Sequence, residues 1–582
     1  MEVPPLAPET VPAKACIFPE PEAWATIDSL TQALGMDRNL VQLLVQRGIQ
    51  SFEESKAFFR PHWNDLNDPG RMKDMDKAVE TLAECIDNGQ RILLYGDYDV
   101  DGTTSVALCY RFLRKYCSDI GYYIPDRRSE GYGLSHQGLD WAYQNGFRCV
   151  VTLDCGTTAL EQVDYANSLG IQVIVTDHHQ PSEHLPKAKA ILNPLQPGCT
   201  YPYKDLSGCG VAFKFLVALC QHFEWPMSEL LDHLELVAIS IAADMVPLTG
   251  ENRVLTHYGL QKLNNQPTTG VKAMLQHYKN RKPTLDLTDV IFGLSPRINA
   301  AGRMGDARLA VQLLVSEDPE ECTRLAAEIE SSNLNRRDTD SEITRVAVEQ
   351  ALAMHQSDHK MTTVVCGNDW HKGVIGIVAS RLVERFYKPT VVFCLEGDKM
   401  TGSARSVQGF DLYQALQQCS DCMEQFGGHK YAAGLTLQAS AYPEFCHRFE
   451  AAVAATLEPW QQRPSLAIDL EMPLETISPK FFRILRQYAP FGQGNRQPVF
   501  CSRRVYASPG SPRIVGQNHL SLRIQQKDGS PGYQAIAFGQ AALLPLLAKG
   551  LPFDIAYSLD ENHYRGQVEM QLRILDLRTV EV

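Results

Sequence analysis

Residues 93–105 read LLYGDYDVDGTTS: an apolar run breaks off at Gly96, and aspartates follow at every second position, Asp97, Asp99 and Asp101. Adjacent like charges repel one another, so a chain that needs only solubility rarely spaces carboxylates this way. The arrangement anticipates a cation. An EF-hand calcium loop opens with the same pattern, but it needs a bidentate Glu at its twelfth position and a helix in front of it. Here the twelfth position is Leu108 and the preceding RILLYG reads as a strand, which excludes that loop.

Outward from this stretch the first half alternates strand and helix signals. RILLYGDYD, IGYYIP, RCVVTLD, IQVIVTD and AKAILNP are short β-rich runs ending in polar or turn residues, with helical lengths between most of them. That pattern predicts a parallel sheet covered by helices on both faces. Ligands of such sheets bind at the carboxyl ends of the strands, where Asp97, Asp154 and Asp177 all fall. From about Leu230 to Ala310 the reading turns mainly helical. No Gly or Pro occurs from Glu320 to Cys366, and Asp318-Pro319 supplies a cap and a first-turn proline, so a long connecting helix is expected. A second α/β unit starts at TTVVCGNDW. Beyond about Trp460, alternating runs such as HLSLRIQQ and VEMQLRILDL predict a small antiparallel barrel. The expected organisation is an N-terminal disordered arm (1–35), a catalytic α/β domain (36–318), the connecting helix (319–358), a second α/β domain (359–460) and the barrel (461–582).

At 582 residues with 44% hydrophobic content, the chain reads as a multidomain globular protein. It has no run of about 18 apolar residues, so no transmembrane helix is expected, and its Pro-rich start does not read as a signal peptide. Sixteen cysteines are scattered irregularly, with Cys419 and Cys422 forming the only CxxC. They read as reduced thiols of a cytoplasmic protein rather than as a disulfide or zinc framework. The net charge of −13 argues against a protein that coats nucleic acid non-specifically. Residues 465–582, however, hold 13 Lys and Arg against 10 Asp and Glu, so the C-terminal module is the better partner for a polyanion.

Further candidate ligands stand elsewhere. Asp154 ends VVTLD before the small, flexible CGTT, Asp177-His178-His179 ends VIVTD, and Asp244 closes the apolar run LVAISIAAD. Taken singly, a DxD is more often a solvated turn and an HH pair a surface feature. Four such groups at the ends of apolar elements are harder to dismiss. Carboxylates dominate and thiolates are missing, which suits Mn2+ or Mg2+ better than zinc. Two such ions about 3.5–4 Å apart polarise a phosphate and generate hydroxide for in-line attack.

DYDVDGTTS, LDCGTT, TDHH and AADMVPL resemble, in order, the four motifs of the DHH phosphoesterases, and GGHKYAAG resembles the signature of the DHH-associated domain. With SPRINAAGRMGDARLAV, WHKGVIGIVASRLVE and GSARS between them, the chain is similar to the single-strand-specific exonucleases of that family. The resemblance implies metal ligation by Asp97, Asp99, Asp101, Asp154, His178 and Asp244, with His179 a further ligand or a group steering the phosphate; Asp154, His178 and His179 would form the catalytic heart. It implies 5′-to-3′ hydrolysis of single-stranded DNA to mononucleotides, in recombinational repair and mismatch excision. Implied too are a helicase and a single-strand-binding protein as partners and a monomeric state; a cleft between lobes too narrow for a duplex, its gap set by the long helix, would account for selectivity for single strands. Rival readings are an oligoribonuclease or cyclic-dinucleotide phosphodiesterase with a DHH core, a type II pyrophosphatase, and a non-catalytic strand-binding scaffold.

Phosphate contacts are expected from Gly427, Gly428 and His429 in FGGHKYAAG, from Ser403 and Arg405 in GSARS, and from Arg127, with Arg128 as its alternative. Tyr132 offers a face for an unpaired base, and Arg297 and Arg303 are placed along the strand's path. The barrel fits an oligonucleotide-binding OB-fold, with Arg503, Arg504, Arg513 and Arg523 as candidate phosphate contacts.

Overall fold

The computed structural model describes residues 14–17, 24–127, 129–278, 282–357, 360–526, 531–564 and 567–580. Two units emerge, one of residues 51–335 and 488–496, the other of residues 1–50, 336–487 and 497–582. The first is built on five parallel strands, β1 (Ile92–Gly96), β2 (Ile120–Tyr123), β3 (Cys149–Leu153), β4 (Gln172–Thr176) and β5 (Ala190–Leu192), in the order β2-β1-β3-β4-β5. All residues of β1 and β3 are buried, which is why their sequences are continuous apolar runs rather than alternating ones. Strand order reverses between β1 and β3. At such a switch point the connections leave the sheet in opposite directions and open a crevice at the carboxyl edge. Asp97 follows β1 and Asp154 follows β3, so the topology alone delivers two carboxylates to that crevice.

Three helices complete the walls. α1 (Val100–Leu113) starts on Asp99, whose carboxylate caps it by accepting from the Gly102 N–H at 3.0 Å. α2 (Gly208–Phe223) is capped by Ser207, and α3 (Leu234–Asp244) is buried along nearly its whole length. α4 (Ser295–Met304) follows a π-helical turn at Val290–Leu294. α5 (Pro319–Ser357) runs for 39 residues, about 58 Å, and the division between the units falls within it.

The second unit holds a five-stranded sheet of β6 (Thr363–Asn368), β7 (Thr390–Glu396), β8 (Lys399–Arg405), β9 (Gln425–His429) and β10 (Ala432–Gln438), ordered β9-β10-β8-β7-β6. Only β6 and β7 are parallel, joined by the crossover helix α6 (Lys372–Phe386). A seven-stranded sheet between Leu470 and Thr579 closes on itself where Phe500–Ala507 pairs with His519–Gln525, giving the OB-type barrel. Its strands are not all antiparallel, because Tyr533–Ala537 runs parallel to Gln567–Thr579. The disordered arm expected at the N-terminus needs correction where it is described. Ala15–Ile17 pairs with Ser465–Ala467, and Trp24–Leu34 is a helix whose Ile27 and Leu30, one turn apart, are buried beside Val41. All sixteen cysteines are free thiols. Among the described residues no helix is long and apolar enough to cross a membrane.

Candidate metal centre

The expected acidic and imidazole groups converge at the β1/β3 switch point. His178 Nε2 lies 3.3 Å from Asp154 Oδ1, 3.5 Å from Asp244 Oδ2 and 3.7 Å from Asp101 Oδ2. Asp154, His178 and His179 can share one ion, and Asp101, His178 and Asp244 another. Buried polar atoms normally find hydrogen-bond partners. Among the described residues, Asp97 Oδ2, Asp154 Oδ1 and His178 Nε2 are buried with none. An oxygen-rich cluster with orphaned acceptors and one imidazole fits hard divalent cations.

The electrostatics agree. Burial, then the neighbouring Asp99, pushes the Asp97 carboxyl up to about 7. Burial, then Asp101 and Asp99, raises Asp244 to about 8. Asp99 is raised by burial and Asp101, and Asp154 well above the usual carboxylate range by burial and four other aspartates. Without a cation these groups oppose one another's ionisation.

Each ligand is presented by a local device. Asp154 adopts φ +62 directly after β3 and is 1% exposed, with its carbonyl accepting from the Tyr132 hydroxyl at 2.9 Å. Gly208 makes room for it: a Cβ there would stand 2.6 Å from Asp154 Oδ1. Asp101 is held by the start of α2, accepting from the Gly208 and Cys209 N–H groups at 2.7 and 2.8 Å, and from the Ser240 hydroxyl at 2.7 Å. Asp177 is an organiser. It accepts from the backbone of Thr157, His178 and His179 and from His179 Nδ1 at 2.8 Å. Burial opposes its ionisation, but the hydrogen bonds, that of the His179 ring first, outweigh burial and hold it at about 2. In return, burial works against the His179 imidazolium and Asp177 overrides it, lifting the ring to about 9.

The rim of the crevice carries aromatic rings and cations. Arg127 stands 5.0 Å over the Tyr98 ring, Tyr98 meets Tyr132 edge-on at 6.3 Å, and Tyr132 meets His179 at 5.7 Å. Tyr98 escapes a reading of the sequence, although it stands between Asp97 and Asp99. Burial and Asp97 raise its hydroxyl to about 12, with the charges of Arg127 and Arg303 pulling the other way, which puts both arginines near it. Arg128 lies outside the described residues. Arg297 is not brought to the crevice. It is buried, pairs with Glu330 at 2.7 Å and donates to the Gly293 and His277 carbonyls. Its charge is used inside the fold.

In the second unit Gly427, Gly434 and Ser403 lie abreast across β9, β10 and β8, and His429, Ala432 and Arg405 form the row two residues along. A Cβ at Gly427 or Gly434 would meet nothing within 4 Å, so these two positions form an open, side-chain-free floor beside Ser403. Arg405 donates to Ser403 Oγ at 3.1 Å beside it. Gly428, with φ +150, lets the hairpin close behind. This shelf of backbone amides, hydroxyl, guanidinium and imidazole suits a phosphate. In the barrel, Arg503, expected as a candidate phosphate contact, pairs with Glu471 and Asp554 at 3.1 and 2.9 Å. Arg504 sits exposed at a β-bulge, and Arg513 and Arg523 are exposed on a hairpin. No sequence pattern marks Phe538, which is 48% exposed, with Arg573 5.3 Å over its ring and His519 edge-on at 5.1 Å. It is the kind of face on which an unpaired base stacks.

Residues 91–241 match the DHH family, N-terminal domain, the class that this fold and site define; residues 358–455 match the DHHA1 domain and residues 468–576 the RecJ OB domain. The single-stranded-DNA-specific exonuclease RecJ of Bacillus subtilis is 35% identical over 559 residues, 95% of this chain and 70% of that protein. The chain therefore belongs to the RecJ family. The crystal structure of RecJ in complex with Mn2+ from Thermus thermophilus superposes with a TM-score of 0.83 at 28% identity, covering 99% of this chain and 81% of that one. The Mg2+ complex from the same organism gives 0.76 at 27% identity, covering 98% and 79%.

Proposed function

We propose that this chain is a metal-dependent exonuclease that degrades single-stranded DNA from the 5′ end to mononucleotides, serving recombinational repair and mismatch excision in the cytoplasm. The observation that carries it is the meeting of three buried, unpartnered groups, Asp97 Oδ2, Asp154 Oδ1 and His178 Nε2, at the sheet's switch point. Asp97, Asp99, Asp101, Asp154, His178 and Asp244 would hold two divalent cations, Mn2+ or Mg2+. Bound there, such ions polarise a phosphodiester and bring the pKa of a water towards neutrality.

The chain's own groups do the remaining work. Asp177 fixes the His179 ring beside the Tyr132 hydroxyl, so that an N–H is aimed at an incoming phosphate oxygen. Arg127 and Arg303 offset the charge of the backbone at the rim, and the Tyr98 and Tyr132 rings supply surfaces for unpaired bases. The shelf of Ser403, Arg405, Gly427, Gly428 and His429 binds a further phosphate. Selectivity for single strands follows from stacking, because base faces are covered in a duplex. Polarity follows the family, as do a monomeric state, a helicase that unwinds ahead and a single-strand-binding protein that covers the strand.

The test uses 5′-labelled and 3′-labelled oligonucleotides, single-stranded and duplex, with Mn2+ and with EDTA, beside Asp154→Ala. Early release of labelled mononucleotide only from the 5′-labelled single strand, abolished by EDTA and by the substitution, is the expected result. Cleavage confined to oligomers of a few nucleotides, or binding without cleavage, would overturn the reading.

A further inference from the structure

The segment Tyr488–Arg496, YAPFGQGNR, lies in the chain between the helix Pro479–Leu485 and the barrel strand Phe500–Ala507, yet it packs as part of the catalytic unit. It docks on the residues that leave α3. That helix ends at Asp244, Met245 takes φ +57, and the chain then runs through Pro247 to Thr249. The Leu248 N–H donates to the Gln493 carbonyl at 2.7 Å. A Cβ at Gly494, whose φ is +72, would fall 3.2 Å from Pro247 Cβ and 3.4 Å from Thr249 Cγ2.

The segment is itself rigidly held. Asn495 is 1% exposed and its side-chain amide donates to the Tyr488 and Pro490 carbonyls, each at 2.8 Å. Arg253 donates to the Tyr488 and Ala489 carbonyls at 3.1 and 3.0 Å, and to the Phe58 carbonyl at 2.9 Å. The buried Tyr488 ring packs edge-on against Phe58 and Phe59. From the other side the Pro247 carbonyl accepts from the Tyr203 hydroxyl and the Asn252 amide, each at 3.0 Å.

The carboxylate at stake is fixed by little else. Asp97, Asp99 and Asp101 each accept a backbone N–H, and Asp154 is wholly buried. Asp244 is 28% exposed, and among the described residues no hydrogen bond reaches its carboxylate, which has only the His178 ring as an ion-pair neighbour, at 3.5 Å. Its direction is set by the last turn of α3 and by how the chain exits. We propose that Tyr488–Arg496 is a positioning element of the metal centre, bracing the exit of α3 so that Asp244 faces His178. The proposal rests on Asp244 being a metal ligand. It gives a segment from the C-terminal third of the chain a part in metal affinity, carried through Gly494 and Asn495.

The experiment measures Mn2+ binding to the full-length, metal-free protein by the electron paramagnetic resonance signal of free Mn2+. Wild type, Gly494→Ala, Asn495→Ala and Asp244→Asn are compared with Leu559→Ala, a barrel-core substitution. Thermal melts accompany each. The expected result is two sites in wild type, with the weaker one loosened by about tenfold or more in both segment variants, as outer residues loosen metals elsewhere, and in Asp244→Asn. Leu559→Ala should lower the melting temperature without moving the isotherm. Unchanged isotherms for both segment variants, with Asp244→Asn weakened, overturn the positioning role alone. An equal shift in Leu559→Ala overturns it as well, because general destabilisation then explains the effect. Wild type binding no Mn2+, or Asp244→Asn binding normally, removes the metal-ligand reading and this proposal with it.

Discussion

Stripping the metals should make the stability of the catalytic unit fall as the pH rises. Asp97 and Asp244 sit at about 7 and about 8, against 3.8 for an ordinary aspartate, through burial first and neighbouring carboxylates second. A carboxyl whose folded pKa is raised costs nothing below its unfolded value and exacts its full penalty above the folded one. The penalty therefore grows from about pH 4 to about pH 8. For Asp97 the difference between 3.8 and about 7 converts to about 4 kcal/mol at roughly 1.36 kcal/mol per pH unit. His179 acts in the same direction. Its ring is raised from 6.5 to about 9, so its contribution is complete below 6.5 and lost as the pH passes 9. Bound cations replace the missing protons and should remove most of the carboxylate penalty. The assay is urea denaturation of EDTA-treated and Mn2+-loaded protein at about pH 5.5, 7 and 8.5. The metal-free form should lose about 3 kcal/mol or more across that window, the loaded form much less, and Asp97→Asn should flatten the metal-free slope. A metal-free protein as stable at the upper pH as at the lower, or an unchanged slope in Asp97→Asn, would refute the reasoning.

Gly208→Ala places a methyl 2.6 Å from Asp154 Oδ1 and should lower kcat by about 10²-fold, the usual cost of an ångström's misplacement, whereas Gly427→Ala, in open space, should leave Mn2+ binding and the melting temperature unchanged. Steady-state kinetics and calorimetry check both. Arg297→Met strands Glu330 without its partner and should cost about 3–5 kcal/mol in urea denaturation, with single-strand affinity of the folded protein unaltered in fluorescence anisotropy. Phe538→Ala should weaken binding of a long single strand by about 1–3 kcal/mol in the same anisotropy assay and leave hydrolysis of a short oligonucleotide untouched.

Most of the metal cluster was legible because its members end apolar runs, which in a parallel sheet share one edge, and Asp99 and Asp101 follow Asp97 at every second position. Asp97, Asp154 and the Asp177-His178-His179 triplet needed nothing beyond that rule. Asp244 follows the same logic on a helix. Arginines were the least readable residues. Whether Arg297 faces a strand of DNA or the inside of the fold depends on Glu330, 33 positions away, and the fate of Arg503 depends on Asp554, 51 positions away. Neither partner can be guessed from local pattern. Phe538 failed for the opposite reason: an aromatic at a strand end reads as core, and only its exposure beside Arg573 and His519 sets it apart. The N-terminal helix at Trp24–Leu34 was masked by its Pro-rich surroundings.

The aspartates also divide by how their charge is met. Asp101 and Asp177 are satisfied before any ion arrives, the first by two amides of α2 and a hydroxyl, the second by three backbone amides and an imidazole. They give the site its shape. Asp97 has only the Gly133 amide at 3.5 Å, and among the described residues the carboxylates of Asp154 and Asp244 accept no hydrogen bond; all three are raised by burial and by neighbouring carboxylates. Their mutual repulsion is relieved only by something positive, so the free energy withheld from folding becomes affinity for the cations. A site built entirely of the first kind would fold well and bind metal weakly. One built entirely of the second would have no fixed geometry to offer.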